Sequence, residues 1–336
     1  EYALELFRND EVTCVEVKQP SNDIRHIMES ILHKKHRALT ESQWDIVLQQ
    51  AEVEPSAIYM SLALKIVEHW PSYLQSPVLA SSLPGVVGQI LDHVEIECGT
   101  TLCRAALGLI TLSVRGINDN EMEDMLSLDQ EVLRSVFQYD VPNVSRIPTH
   151  VWTKLRRHME GLLIERHHGC LTWRHDSLLE IALKRYSQEK IKFHNMLANY
   201  FGNRIDPVIR NEKKIASYDL LMSGGSVWLK NSRPNYRRCE EAVYSLIHCG
   251  NLIDAVNSLC DFDYICAAYR CNEGSATIQY LELIIKKEKI EKKGVDLIKI
   301  RDYLQWLKRA DSRILDDPQI FIPVTVTLEP ITSIAR

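Results

Sequence analysis

Trp173-Arg174-His175-Asp176 is the stretch of this chain richest in chemistry. A histidine beside a carboxylate can exchange or share a proton with an anionic ligand near neutral pH. Asp176 also precedes Ser177-Leu178-Leu179-Glu180, so its simplest role is the N-cap of a helix. On spacing alone, a single histidine reads first as a structural imidazole at a strand end. Lys154, Arg156, Arg157 and His158 form a second group, cations able to meet phosphate or guanine if their helix lies in a groove. Their plainer role is the solvated face of an amphipathic helix. Cys260, Cys266 and Cys271 form a third, but five- and four-residue gaps are unlike the paired CxxC knuckles of zinc sites, and no metal is expected.

Each group needs elements to hold it. Thr40-Glu41-Ser42-Gln43 is a capping box that opens a helix burying Trp44, Ile46, Val47 and Leu48. Pro55 suits the first turn of a further helix, whose face carries Ile58, Leu62, Ile66 and Val67. Two prolines and three serines in 76–84 mark a linker, taken as 77–90. From 91, Leu102, Ala105, Ala106 and Leu109 follow helical spacing, with Gly116 as the stop. Asn118-Asp119-Asn120-Glu121 is a second capping box, and 129–139 gives another short helix. Pro148 precedes a helix bearing Val151, Trp152, Leu155 and Met159. The apolar runs 162–165 and 170–173, joined by Arg166-His167-His168-Gly169, predict a β-hairpin. Helices followed by a two-stranded wing are the winged-helix plan, over 91–186. Residues 187–317 carry only helical signals, punctuated by Gly250 and Gly274, and predict an irregular α-superhelical arm. Short β-rich runs at 13–17 and 320–327 are the strand signals outside the hairpin, the second broken by Pro323. The fold class is therefore mainly α: a helical domain at 21–76, a winged helix with a small hairpin, then the arm.

Composition narrows the function. The 336 residues are 45% hydrophobic and 25% charged with a formal net charge of −5, values of a globular protein. Residues 99–186 carry eleven Lys and Arg against eleven Asp and Glu, and a neutral module lacks the electrostatic footprint of a duplex binder. The longest apolar run, 106–114, is far short of a membrane helix. No secretory signal opens the chain, and the nine cysteines read as reduced, so the expected compartment is the cytoplasm. A start at Glu1 suggests a piece of a longer polypeptide. No GxxxxGK[ST], GxSxG, HExxH or GxGxxG occurs, and no sequence-local pairing of nucleophile and base, so this segment reads as non-enzymatic. The lysine-rich run 286–293 reads as a solvated helix face.

Several segments in order carry a resemblance. They are Arg37-Ala38-Leu39-Thr40 with Gln43; Pro55-Ser56-Ala57-Ile58-Tyr59-Met60 leading to Trp70-Pro71-Ser72-Tyr73; Ala106-Leu107-Gly108-Leu109-Ile110 with Asn120-Glu121-Met122; 148–157; Trp173-Arg174-His175-Asp176; and Asn235-Tyr236-Arg237-Arg238 running to Leu259-Cys260-Asp261-Phe262. Together they resemble the STAND-class NTPases, specifically the eukaryotic NACHT and WD-repeat proteins, the group that includes the telomerase-associated protein component. The resemblance implies that 1–20 is the tail of a NACHT nucleotide-binding core and that 318–336 leads towards WD40 repeats. It implies ATP or ADP held mainly by that upstream core, with Pro55 and His175 sensing the nucleotide and Asp176 capping the helix beside the sensor. The proline is not in the usual Gly-x-Pro form, and Trp173-Arg174 precede the histidine where a Met is usual. Implied partners are the chain's own NACHT core and WD40 domain, and further proteins, or copies of itself, in a signalling assembly. A winged-helix nucleic-acid binder, reading through Lys154, Arg156 and Arg157, is the alternative.

Overall fold

The computed structural model describes residues 24–74, 77–137, 145–202, 204, 205, 207–212, 227–229, 233–291, 294–316, 322 and 326. The strand signal at 13–17 and the expected core tail at 1–20 lie outside them. The chain divides into two compact units, 1–93 and 94–336.

In the first unit α1 is Ile24–Lys34, α2 Glu41–Val53 and α3 Ala57–Val67. The Thr40 capping box forms as the sequence predicts: the hydroxyl accepts from Gln43 N, and Gln43 Oε1 accepts from Thr40 N at 3.1 Å. Gln43 does more than cap. It is fully buried, and its Nε2 donates to Pro71 O and Leu74 O, both at 3.1 Å. One amide thus holds the start of α2 and the chain after α3. Gln43→Ala is expected to cost about 2 kcal/mol, because a fully buried amide loses its bonds to two part-buried carbonyls, and Thr40→Ala about 1 kcal/mol. Urea midpoints of the two variants check the order; equal losses would reduce Gln43 to a cap alone.

Helix α4 spans Leu83–Cys98 and corrects the expected linker at 77–90. Val86, Val87, Ile90 and Leu91 are buried. Pro84 misled the reading, since it sits in the first turn, where the missing N–H is not needed. Pro55 moves the other way. Ser56 is the N-cap of α3, so Pro55 lies one residue outside the helix.

The second unit opens on the winged helix. Its core helix α5, Thr100–Leu112, ends before Gly116. Around it pack α6 (Asp119–Leu128), α7 (Gln130–Val136), α9 (Asp176–Tyr186) and α10 (Lys190–Phe201), while α8 (Thr149–His158) lies against α6. Asn118 and Glu121 close the second capping box. The predicted wing exists as β1 (Leu163–Glu165) antiparallel to β2 (Leu171–Trp173), with Ile164 opposite Thr172. Ile117 adds an antiparallel bridge to Leu171. Gly116 permits this crossing: it has φ +85°, and a Cβ there would lie 2.3 Å from Leu171 O.

The arm follows in the same unit. It comprises α11 (Pro207–Glu212), α12 (Tyr236–His248), α13 (Leu252–Leu259), α14 (Phe262–Arg270), α15 (Gly274–Glu291) and α16 (Leu297–Asp316). Successive helices pack in pairs around Val243, Leu259, Ile265, Ile284, Ile300 and Trp306, with α10 laid along α12. A bridge between Trp228 and Pro234 precedes α12, a small β feature in a stretch whose sequence signals are all helical. Of the expected strand at 320–327, Ile322 and Val326 are described. Both are helical and pack on the arm's core, where burial outweighs their β preference.

Candidate functional site

His175 is placed by two neighbours in sequence. Trp173 is buried and donates from Nε1 to Thr111 Oγ1 at 3.0 Å, fixing the end of β2 on α5. Arg174 N donates to Leu162 O at 2.8 Å, extending the hairpin ladder. The chain then leaves the wing extended, with His175 at φ −141° and ψ 146°. His175 itself is the N-cap of α9: its Nδ1 accepts from Ser177 N at 3.2 Å. This corrects the reading of Asp176 as the cap. Asp176 is the first residue of the helix, an acidic side chain placed favourably for the dipole. A neutral imidazole that accepts at Nδ1 carries its hydrogen at Nε2. The exposed ring therefore offers one donor of fixed tautomer at the wing's base. Pro55, also exposed, belongs to the first unit and His175 to the second.

Two of the α8 cations, Lys154 and Arg156, are engaged by neighbouring residues. Lys154 Nζ donates to Glu97 O at 2.5 Å. Arg156 pairs with Asp119 and, at 2.8 Å, with Glu165 on the wing. Arg157 is exposed. The groove of about 420 Å³ between α8 and β1 is lined by Arg156 and Arg157 but also by Asp119, Glu123, Glu160 and Glu165. A duplex phosphate entering there would have to displace carboxylates, each of which repels it.

A cleft of about 500 Å³ opens where the wing turn meets the arm, and Asp176, Arg166, His168, Arg115, Tyr236 and Arg237 line it. At its floor lies a charge cluster that the sequence does not reveal. Arg237, at the start of α12, grips Glu121 of α6 with two bonds, Nε to Oε1 at 2.7 Å and Nη2 to Oε2 at 2.9 Å. The same Nη2 donates to Gly116 O at 2.7 Å, and Nη1 lies 3.3 Å from Glu241 Oε1. Glu241 accepts from Val114 N and Arg115 N at 2.9 and 2.8 Å. All three charged side chains are buried. Burial pushes the Glu241 carboxyl up, while Arg237 and the two backbone amides draw it down. Burial alone would lower the Arg237 guanidinium, but Glu121 and Glu241 raise it above its ordinary value. This ionic pin fastens the winged helix to the arm. Its one sequence signal was Arg237 and Glu241 four apart on a helix; nothing local points to Glu121.

Residues 75–194 match the family model of the NWD1-like winged helix-turn-helix domain. The chain is 26% identical over 255 residues to human NACHT domain- and WD repeat-containing protein 1, covering 70% of this chain and 16% of that protein. It is 28% identical over 240 residues to mouse NACHT and WD repeat domain-containing protein 2, covering 59% of this chain and 14% of that protein. No solved structure matches. The resemblance to NACHT and WD-repeat proteins thus holds over much of the chain, which spans about a sixth of the length of these curated relatives. The NWD1-like region is a winged helix, distinct from a nucleotide-binding core. Among the described residues no helix is long and apolar enough to cross a membrane.

Proposed function

We propose that this segment is the regulatory, nucleotide-sensing and scaffold part of a STAND/NACHT signalling NTPase, coupling ADP or ATP in its own NACHT core to a WD40 sensor. The carrying observation is His175: its cap bond consumes Nδ1 and leaves Nε2–H as an exposed donor at the wing's base. A neutral N–H to a phosphate oxygen is a charge-assisted bond of about 1.5–3 kcal/mol. A bond made to diphosphate but altered with triphosphate biases a two-state hinge about tenfold or more. The Arg237 pin then makes wing and arm respond together, so a tie at His175 is felt along the arm. The protein would act in the cytoplasm within a signalling assembly, with copies of itself among its partners.

In the full-length protein, His175→Ser retains a helix cap but removes the reaching donor. The expected result is ADP released about tenfold faster, or raised basal assembly, with unfolding unchanged. Unaltered ADP retention and assembly would leave His175 a structural cap. Salt-sensitive duplex binding, lost on neutralising Arg156 and Arg157, would favour the nucleic-acid alternative instead.

A further inference from the structure

Within the second unit, the last turn of α4 meets α5, with α8 beside them. Cys98 ends α4, Gly99 turns the chain at φ +94°, and Cys103 lies in the first turns of α5. Cys103 is buried, and its Sγ donates to Val94 O at 3.6 Å, which sets that sulfur against the last turn of α4. Cys98 is on the same turn, one helical turn on from Val94, so the two thiols lie close enough to perturb each other electrostatically. Cys98 is partly exposed. From α8, Lys154 reaches over to Glu97 O, bringing a cation beside the neighbouring thiol. The joint therefore holds a partly exposed sulfur, a buried sulfur set against the same helical turn, and a nearby positive charge. Reactive redox cysteines have this arrangement, and structural ones lack it.

We propose that Cys98 and Cys103 are a reversible thiol–disulfide site whose oxidant is a hydroperoxide. The Cys98 thiolate attacks the terminal peroxide oxygen; the O–O bond breaks, and the leaving oxygen takes up a proton to depart as water or an alcohol. Cys98 is then a sulfenic acid. The Cys103 sulfur attacks the Cys98 sulfur, the S–O bond breaks, and the hydroxyl leaves with the Cys103 proton as water while the S–S bond forms. Two thiols have lost two electrons and two protons, and the peroxide has been reduced. A thiol reductant reverses the step by exchange.

The cysteines are differentiated for these roles. The neighbouring Cys103 thiol holds the Cys98 thiol below its usual range, against its burial and with help from Lys154, whereas the neighbouring Cys98 and burial push Cys103 up. Cys98 is the attacking group, and Cys103 the resolving one. The crosslink would close the short loop around Gly99 and clamp the last turn of α4 to α5. That turn is already held by Glu95, whose Oε1 accepts from Arg185 Nη2 at 2.8 Å.

The test is differential alkylation and peptide mass spectrometry of the intact folded protein treated with stoichiometric hydrogen peroxide. The expected product is a peptide linked through Cys98 and Cys103, reversible by dithiothreitol and formed about tenfold faster than any adduct at Cys249 or Cys266, the other partly exposed thiols among the described residues. In Cys103→Ser, dimedone should instead trap sulfenic acid on Cys98. Lys154→Ala should slow Cys98 labelling about threefold or more. The wild-type result stands even if the serine variant folds poorly. No linked peptide, or Cys98 reacting no faster than Cys249 and Cys266, overturns the proposal.

Discussion

Arg237→Met is expected to lower the stability of the winged-helix–arm unit by about 3–5 kcal/mol, the usual cost of removing one member of a buried ion cluster. The guanidinium supplies three contacts that cross between the unit's two halves, two to Glu121 and one to Gly116 O, and a fourth to Glu241 on its own helix, which in turn accepts from Val114 N and Arg115 N. Without it, Glu121 and Glu241 remain buried with their negative charges uncompensated. Desolvation, rather than the lost attraction, sets the size of the effect. Two signatures separate this from simple loss of packing against Phe201, whose ring lies 4.8 Å from the guanidinium carbon. First, Glu241→Gln should recover part of the loss in a double-mutant cycle, because it removes one stranded charge. Second, the variant's deficit should shrink on acidification. Removing Arg237 raises the folded-state affinity of the carboxylates for protons, and a group bound more tightly by protons when folded gains relative stability as pH falls. Urea midpoints at pH 7 and pH 5 supply both readings. A cost below about 1 kcal/mol at either pH, the range of an exposed pair, would make the pin an ordinary surface contact.

What the sequence revealed was what neighbouring residues decide among themselves. Thr40 with Gln43, and Asn118 with Glu121, are satisfied within four residues, so both capping boxes were readable and both formed. The wing was legible for the same reason: two apolar runs and a glycine-containing turn define a hairpin locally. Errors of one residue arose where two neighbours can both serve. His175 took the cap from Asp176, and Ser56 displaced Pro55 from the first turn of α3. The linker at 77–90 was misread because proline and serine also open helices, and only the burial of Val86, Val87 and Ile90 decides for α4. The Arg237 cluster was hidden altogether. Its partner Glu121 lies 116 residues away and already had a complete local role as a capping residue. Its second role becomes visible only when α12 packs on the winged helix.

Acidification from pH 7 to 5 is expected to destabilise the same unit through two histidines between α10 and α12. His194 is 3% exposed, and among the described residues its Nδ1 has no hydrogen-bond partner. His248 stacks on it with centroids 5.1 Å apart, and the Tyr244 ring lies 4.2 Å from His248. Burial, first, and the charges of Lys287 and Lys190 lower both imidazoles to about 4; their mutual repulsion adds to the shift of His194. In the unfolded chain each returns to about 6.5. Between those values the unfolded state binds more protons, so stability is full above about pH 6.5 and falls as pH drops towards 4. At 1.36 kcal/mol per unit, His194 contributes about 2–3 kcal/mol, and the less buried His248 contributes less. Buried carboxyls act in the opposite sense. Asp124 and Glu241 are both held high by burial, and they gain relative stability as pH falls, which flattens the wild-type profile. The discriminating measurement is therefore a difference: the thermal midpoint of His194→Phe with His248→Phe against wild type across pH 7 to 5. The variant should lose much of the downward slope, or reverse it, because the two buried imidazoles no longer take up protons on unfolding. Parallel profiles would mean that the imidazoles reach water, with their protons, in the folded state.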